Sequence, residues 1–104
     1  MSFYTEPIHY ERTALSDLQG ACTILRDTVV ENFGFRGSDK ILFHIDEAMS
    51  WECVRDLNRM YPLINLIYNL ANQHEAPESI IESIIEARRN FEEVRTAFIK
   101  GETD

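Results

Sequence analysis

Residues 38–73 read SDKILFHIDEAMSWECVRDLNRMYPLINLIYNLANQ, and this stretch constrains the fold more than any other part of the chain. It contains the only tryptophan, Trp51, no glycine, and one proline, Pro62. From Met60 to His74 there is no Asp, Glu, Lys or Arg. A helix that is apolar over most of its surface belongs in a core or at an interface. The way the chain bends to bury this segment therefore decides the architecture.

The first half of the stretch has the periodicity of an amphipathic helix. Ser38 is a good N-cap residue, and Asp39 suits the positive end of a helix dipole. The apolar residues that follow recur every three or four positions: Leu42, Ile45, Met49, Cys53, Leu57 and Met60. This spacing predicts a helix over residues 38–60. The alternative, a β-strand over residues 38–45, would interrupt a periodicity that continues for four further turns.

Pro62 predicts a break in this helix. Proline has no amide hydrogen, and its ring clashes with the carbonyl four residues earlier, here that of Asn58. A continuous helix over residues 38–73 would be about 54 Å long and would extend well beyond its neighbours. We therefore expect Pro62 to open a separate short helix over residues 62–73 that folds back on the others. The other possibility is that this end protrudes and is buried by a second subunit.

Two further predicted helices flank this region, over residues 14–33 and 77–100. Their apolar stripes are Leu15, Leu18, Cys22, Leu25, Val29 and Phe33 in the first, and Ile80, Ile84, Ala87, Phe91, Val94 and Phe98 in the last. Gly34 directly follows the first stripe, where a left-handed C-terminal cap favours glycine. Pro77 suits the first position of the last helix.

These elements predict an all-α protein, an antiparallel four-helix bundle whose third helix is short and follows the Pro62 break. The 104 residues form a single domain, long enough to bury a core without metal or disulfide crosslinks. Residues 1–12 are too short and too interrupted by proline for a helix, yet rich in aromatic side chains, so we expect an extended N-terminal arm lying on the bundle. Residues 102–104 should fray.

The charge balance bears on possible partners. Ten Lys and Arg against eighteen Asp and Glu give a formal net charge of -8. This field repels DNA, RNA and anionic bilayers, because nucleic-acid affinity depends on clustered Lys and Arg that neutralise phosphates. We therefore expect no direct nucleic-acid binding. An acidic surface instead favours a basic protein partner, although solubility alone also explains it.

The sequence also bears on the compartment. No stretch reaches the ~18 apolar residues of a membrane span, and the N-terminal residues have neither the basic nor the apolar region of a secretory signal. These features predict a cytoplasmic protein without membrane attachment. Cys22 and Cys53 lie on the predicted apolar stripes without C-x-x-C spacing, so we expect both to be small buried residues rather than a disulfide.

One line of side chains on the second predicted helix could carry function. His44, Glu47, Trp51 and Arg55 lie at steps of three or four, beside the apolar stripe. A histidine and a carboxylate three residues apart could share a proton or a metal ion, and Trp51 could make a cation–π contact with Arg55. Trp and Arg are also enriched in binding hot spots. The alternative is that Trp51 packs on a neighbouring helix while the charged residues are solvated.

A second candidate surface lies on the last helix. Glu78, Glu82 and Glu86 follow one another at intervals of four residues, which places like charges side by side. We interpret this row either as a solvated face or as a surface for a basic protein. The uncharged segment 60–74 offers a third surface, a possible subunit interface formed by Leu63, Ile67, Leu70, Asn65 and Asn69.

No phosphate-binding loop, zinc-protease motif, paired-cysteine motif or nucleophile elbow is present. The sequence therefore predicts no catalytic residue, no cofactor and no metal site. We expect a non-enzymatic protein that binds another protein, such as an inhibitor, an immunity or antitoxin-like factor, or an adaptor that occupies a basic or nucleic-acid-binding surface. Two alternatives remain open: a metal-dependent hydrolase using His44, Glu47 and carboxylates of the last helix, and a structural homodimer built on residues 60–74.

Overall fold

The computed structural model describes the backbone of residues 9–103 and the side chains of residues 13–97. It consists of four helices: α1 (His9–Glu31), α2 (Ser38–Cys53), α3 (Leu57–Gln73) and α4 (Glu78–Thr103). Residues 9–103 contain no strand. The prediction of an all-helical protein is confirmed, and the alternative of a strand over residues 38–45 is wrong because α2 begins at Ser38.

The four helices share one core. α1 packs against α2 and α4, and α3 packs against the same two helices. Between the diagonal pairs, α1 with α3 and α2 with α4, no close backbone approach occurs within residues 9–103. This packing is consistent with a bundle. Every helix contributes large, fully buried side chains: Leu18, Val29, Ile41, Ile45, Met60, Ile67, Ile80, Ile84, Phe91 and Val94.

The predicted break at Pro62 is wrong. α2 ends at Cys53, α3 begins at Leu57, and Pro62 lies inside α3, in its second turn. The reason is that a better starting point precedes the proline. Asp56 is the N-cap of α3, and its carboxylate accepts a hydrogen bond from the backbone N–H of Arg59 at 3.1 Å.

The end of α2 is a Schellman motif, in which a residue in the left-handed conformation closes the last turn. Arg55 has a φ of 59°. Its N–H donates to the carbonyl of Glu52 at 2.9 Å, and the N–H of Asp56 donates to the carbonyl of Trp51 at 2.8 Å. The chain thus stops one helix and starts the next within three residues, so that α3 can fold back on α2.

This turn changes which face of α2 is buried. The buried residues are Ser38, Ile41, Ile45, Ala48 and Glu52. The predicted stripe of α2 included Leu57 and Met60. Those two residues belong to α3, so the buried face of α2 does not have to be in line with them. Leu42 and Met49 lie partly buried at the edge of the core, and Cys53 is exposed.

The outer boundaries also differ from the predictions. α1 begins at His9, so the last four residues of the predicted arm are helical, while residues 1–8 lie outside the described chain. α1 ends at Glu31, two residues before Phe33, which lies in the following turn and is 54% exposed rather than buried. α4 continues to Thr103, beyond the predicted end at residue 100.

The turn between α1 and α2 lies against the end of α3. Gly37, the N-cap of α2, has a φ of 81°, and a Cβ atom there would collide with the imidazole ring of His74, the C-cap of α3. Ser38, predicted as the N-cap, is instead the first residue of α2. Its buried hydroxyl accepts a hydrogen bond from the N–H of Gly34 at 3.1 Å.

Replacing Arg55 by glycine is expected to stabilise the fold by about 0.5–1 kcal/mol. A side chain in the left-handed region costs roughly 1–2 kcal/mol, and the greater freedom of glycine in the unfolded chain cancels part of that gain. Urea unfolding should show a higher midpoint with an unchanged slope. Arg55→Ala is the control, since it keeps the Cβ atom; a glycine variant no more stable than the alanine variant would contradict the strained conformation.

The Gly37→Ala variant is expected to lose about 2 kcal/mol of stability, because the new methyl group meets His74 and the positive φ strains the backbone. Urea unfolding of Gly37→Ala, His74→Ala and the double variant forms a double-mutant cycle. His74→Ala should recover the steric part of the loss when combined with Gly37→Ala. Strict additivity of the two substitutions would show that the collision does not occur.

Candidate functional site

A groove between α1 and α4 carries two of the charged side chains that the sequence predicts to be functional, Glu82 and Glu86. Its volume is about 300 Å³. It is lined by Ala21, Ile24 and Thr28 from α1 and by Ser79, Glu82, Ser83 and Glu86 from α4. Most of these side chains are short, so the two helices leave a channel open along their junction. The side chain of Ile24 is 61% exposed within it.

The predicted acidic row on α4 borders this groove. Glu78, Glu82 and Glu86 are all exposed, and the last two line the groove. Glu86 forms an ion pair with Arg89, one turn further along the same helix. The hydrogen bond to Glu86 raises the pKa of Arg89 above its ordinary value. Glu86 is thus already engaged with a cation from its own chain.

Asn90 holds this end of the row in place. It is buried, and its amide group donates to the backbone carbonyl of Glu86 at 2.8 Å and to the Glu86 carboxylate at 3.4 Å. The carboxylate of Glu86 therefore already has two partners from α4, Arg89 and Asn90.

The predicted row on α2 is only partly formed. Nδ1 of His44 lies 3.2 Å from the Glu47 carboxylate, so these two side chains do pair. Trp51 is partly buried against the core. The predicted contact of Trp51 with Arg55 is wrong: the guanidinium over the indole belongs to Arg59, with its Cζ 4.8 Å from the ring centroid. Arg55 lies outside the helix, in the left-handed turn, which removes it from the row.

His44 and Glu47 are not brought to the carboxylates of α4. α2 and α4 lie on opposite sides of the bundle without a close backbone approach. Within the described residues, no three side chains of His, Cys, Asp or Glu are grouped so that they could hold a metal ion. The set of ligands that the hydrolase alternative requires is therefore not assembled in this part of the chain.

One face of the uncharged segment is buried within its own chain. Ile67 is only 1% exposed, and Leu63 and Leu70 are partly buried against the core. Asn65 is partly buried and Asn69 is exposed. Of the residues predicted for a subunit interface, Ile67 consequently offers almost no surface to a second copy.

Aromatic contacts to arginine join α3 and α4, and the sequence did not reveal them. Arg88 lies over the ring of Tyr68, at 5.1 Å from the centroid, and Arg95 lies over Tyr61 at 4.8 Å. Tyr61 also stacks on Phe91, with ring centroids 5.8 Å apart. Neither partner of these pairs can be recognised from periodicity, because the pairs join different helices.

Glu52 is a buried carboxylate that the sequence analysis missed. Only 5% of it is exposed, and it accepts a hydrogen bond from the amide of Gln19 at 2.9 Å. Burial, and secondarily the negative charge of Glu52, raises the pKa of Cys22 from 9.0 to about 12. The only sequence signal was its position four residues after Ala48, on the row that contains Ile41 and Ile45. From the sequence alone, a glutamate at that position is expected to be exposed to solvent, because the orientation of the helix is not known.

The two cysteines have different surroundings. Cys22 is buried, as predicted, whereas the prediction that Cys53 is buried is wrong. Cys53 is the last residue of α2, where the chain turns away, so nothing covers it. Neither forms a disulfide with the other.

No protein-family model, no curated protein sequence and no solved structure matches this chain. Within residues 9–103, no helix has both the length and the apolar character needed to cross a bilayer.

The native protein is expected to expose one reactive thiol to an aromatic disulfide reagent, and two after unfolding. Cys53 is accessible, whereas Cys22 is buried, and its raised pKa keeps it protonated up to about pH 10; the thiolate is the reactive form. Raising the pH from 7 to 9 should leave the native count at one. The Cys53→Ala variant should show no native reaction, and a rapid reaction in that variant would contradict the burial of Cys22.

Proposed function

We propose that this chain is a small acidic protein that acts by binding a partner protein with a basic surface, and that it has no catalytic activity. Inhibitors, immunity or antitoxin-like factors and adaptors act in this way. The observation that supports the proposal best is the α1–α4 groove, whose lining includes Glu82 and Glu86 together with an exposed Ile24. Carboxylates around an exposed aliphatic residue suit a partner that presents both cations and apolar surface.

The charge of the whole chain supports the same conclusion. A formal net charge of -8 on 104 residues attracts basic proteins over long distances and speeds their association. It also opposes direct binding to nucleic acid. A partner whose own function is to bind nucleic acid would present the kind of basic surface that this chain could occupy.

We propose further that the helices run antiparallel to their neighbours. In support, Arg26 on α1 pairs with Asp46 on α2 at 2.7 Å, and Gln19 pairs with Glu52. Residues that come later in α1 thus meet residues that come earlier in α2. The aromatic contacts between α3 and α4 have the same reversed order.

The row on α2 is the weaker of the two candidate surfaces. Trp51 packs against the core with Arg59 over its ring, so less of the indole is free to contact a partner. His44 and Glu47 satisfy one another, and Arg55 has left the row. We therefore assign the partner-binding role to the α4 carboxylates and the groove beside them.

We also propose that the protein acts in the cytoplasm. Both cysteines are free, and one of them is exposed. Free exposed thiols persist in reducing compartments, whereas oxidising ones favour disulfides.

Neutralising the groove is expected to weaken binding of the partner. Affinity capture from the native cell, followed by titration calorimetry with each captured basic protein, should show that Glu82→Gln with Glu86→Gln lowers affinity by about five- to tenfold, since each exposed ion pair contributes up to about 1 kcal/mol. The loss should shrink as salt is raised.

Glu92→Gln with Glu93→Gln is the matched control. Both are exposed carboxylates of α4 outside the groove, so this variant has the same net charge as the test variant. Equal losses from both pairs would mean that only the total charge matters. If Trp51→Ala with Arg55→Ala weakened binding while the groove variant did not, the partner surface would lie on α2 instead.

A further inference from the structure

Ile24 is an aliphatic residue that is exposed to solvent. Its neighbour Leu25 is 3% exposed, whereas Ile24 is 61% exposed on the α1 wall of the groove. An isolated exposed aliphatic side chain needs no explanation. Ile24, however, lies in a concave surface whose other lining residues have short side chains or carboxylates. An apolar side chain of a partner could therefore pack on Ile24 and be shielded from water.

The volume of the groove is small for binding a metabolite but sufficient for side chains of a partner protein. Its volume of about 300 Å³ is at the lower limit of ligand pockets. Ala21, Ser79 and Ser83 keep the channel open, because none of them extends far from its helix. One or two apolar side chains of a partner would fill it.

The charge of the groove decides what sort of partner fits. Its lining includes Glu82 and Glu86 and neither Lys nor Arg. A second copy of this chain, at a formal charge of -8, would be repelled. The first eight residues of the chain, MSFYTEPI, contain one glutamate and no Lys or Arg, so they do not complement the carboxylates either. A basic segment of a partner protein complements these carboxylates.

The spacing favours a helical segment. Glu82 and Glu86 are four residues apart on α4, which places them about 6 Å apart along its axis. Lys or Arg residues four positions apart on a partner helix have the same spacing, and an aliphatic residue three positions after the first cation shares that face, where it could reach Ile24 across the groove. Amphipathic helices commonly bind to apolar grooves in this manner.

Arg89 adds an intramolecular competitor. Its ion pair with Glu86 must be broken or shared before a partner's cation can use that carboxylate fully. We infer that the α1–α4 groove binds a basic amphipathic helix of the partner, with an aliphatic side chain on Ile24 and cations on Glu82 and Glu86, in competition with Arg89. This inference rests on the proposed function and specifies how its partner is bound.

The test uses the whole chain and stapled helical peptides of about 16 residues, with Arg at two positions four apart and Leu, Ile or Phe three positions after the first Arg. Fluorescence anisotropy of the labelled peptides measures their affinity. Arg89→Ala is expected to tighten binding by about two- to fivefold, and Ile24→Ser to weaken it by about tenfold. Amide chemical shifts should move at residues 21–28 and 79–86.

Matched controls separate the groove from general effects. Ile85→Ser removes another exposed isoleucine that does not line the groove, and it should leave affinity unchanged. Arg88→Ala removes the same charge as Arg89→Ala from the neighbouring position, where the arginine lies over Tyr68. Equal tightening by both arginine variants would mean that net charge acts and competition does not. Ile24 is exposed, so its serine variant should fold, which circular dichroism checks.

The outcomes distinguish this inference from the proposed function. If no peptide binds more tightly than about 1 mM, or if Ile24→Ser binds as well as the unchanged protein, the helix-in-groove inference is wrong. The proposed function would still stand if a captured basic protein lost affinity in the Glu82→Gln, Glu86→Gln variant. If that variant also bound the captured protein normally, the groove would not be the partner surface, and its assignment under the proposed function would be wrong as well.

Discussion

The turn at residues 54–56 is the constraint on which the rest of the structure depends. It closes α2 with Arg55 in the left-handed conformation and opens α3 with the carboxylate of Asp56. These two local devices satisfy backbone groups at both helix ends within three residues. Because the chain reverses here, the uncharged segment that follows packs on α2 and α4 of its own chain, and Met60, Ile64, Ile67 and Ala71 enter the core.

Several features follow from the position of this turn. Because the turn separates α2 from the apolar residues that follow it, the buried face of α2 is independent of them. That face is the row through Ile41, Ile45 and Ala48. That orientation carries Glu52 into contact with α1, where Gln19 binds it, and leaves Cys53 exposed. It also positions Arg59, in the first turn of α3, over the ring of Trp51. A displacement of the turn by a few residues would alter all of these contacts.

The surfaces that remain available to a partner are determined by the same packing. The most aromatic candidate, the row on α2, is largely occupied by contacts within the chain. The groove between α1 and α4 remains open because its walls carry short side chains and carboxylates, and neither α2 nor α3 contributes to its lining. The net charge and this groove are the two observations on which the function we propose rests.

The sequence by itself determined the number of helices, their approximate places and the buried faces of α1 as far as Val29 and of α4 as far as Val94. Apolar spacing carries that information, because each of these helices has a single continuous stripe. It did not determine where α2 ends, since Pro62 was a strong breaker signal whereas the Asp56 cap and a left-handed arginine are weak ones. Only the tertiary structure decided which cation meets Trp51, that Glu52 is buried, and that Ile24 lines the same groove as Glu82 and Glu86. Those contacts join different helices, so they depend on how each helix is rotated about its own axis. Local periodicity does not determine that rotation where two neighbouring rows of a helix are both apolar.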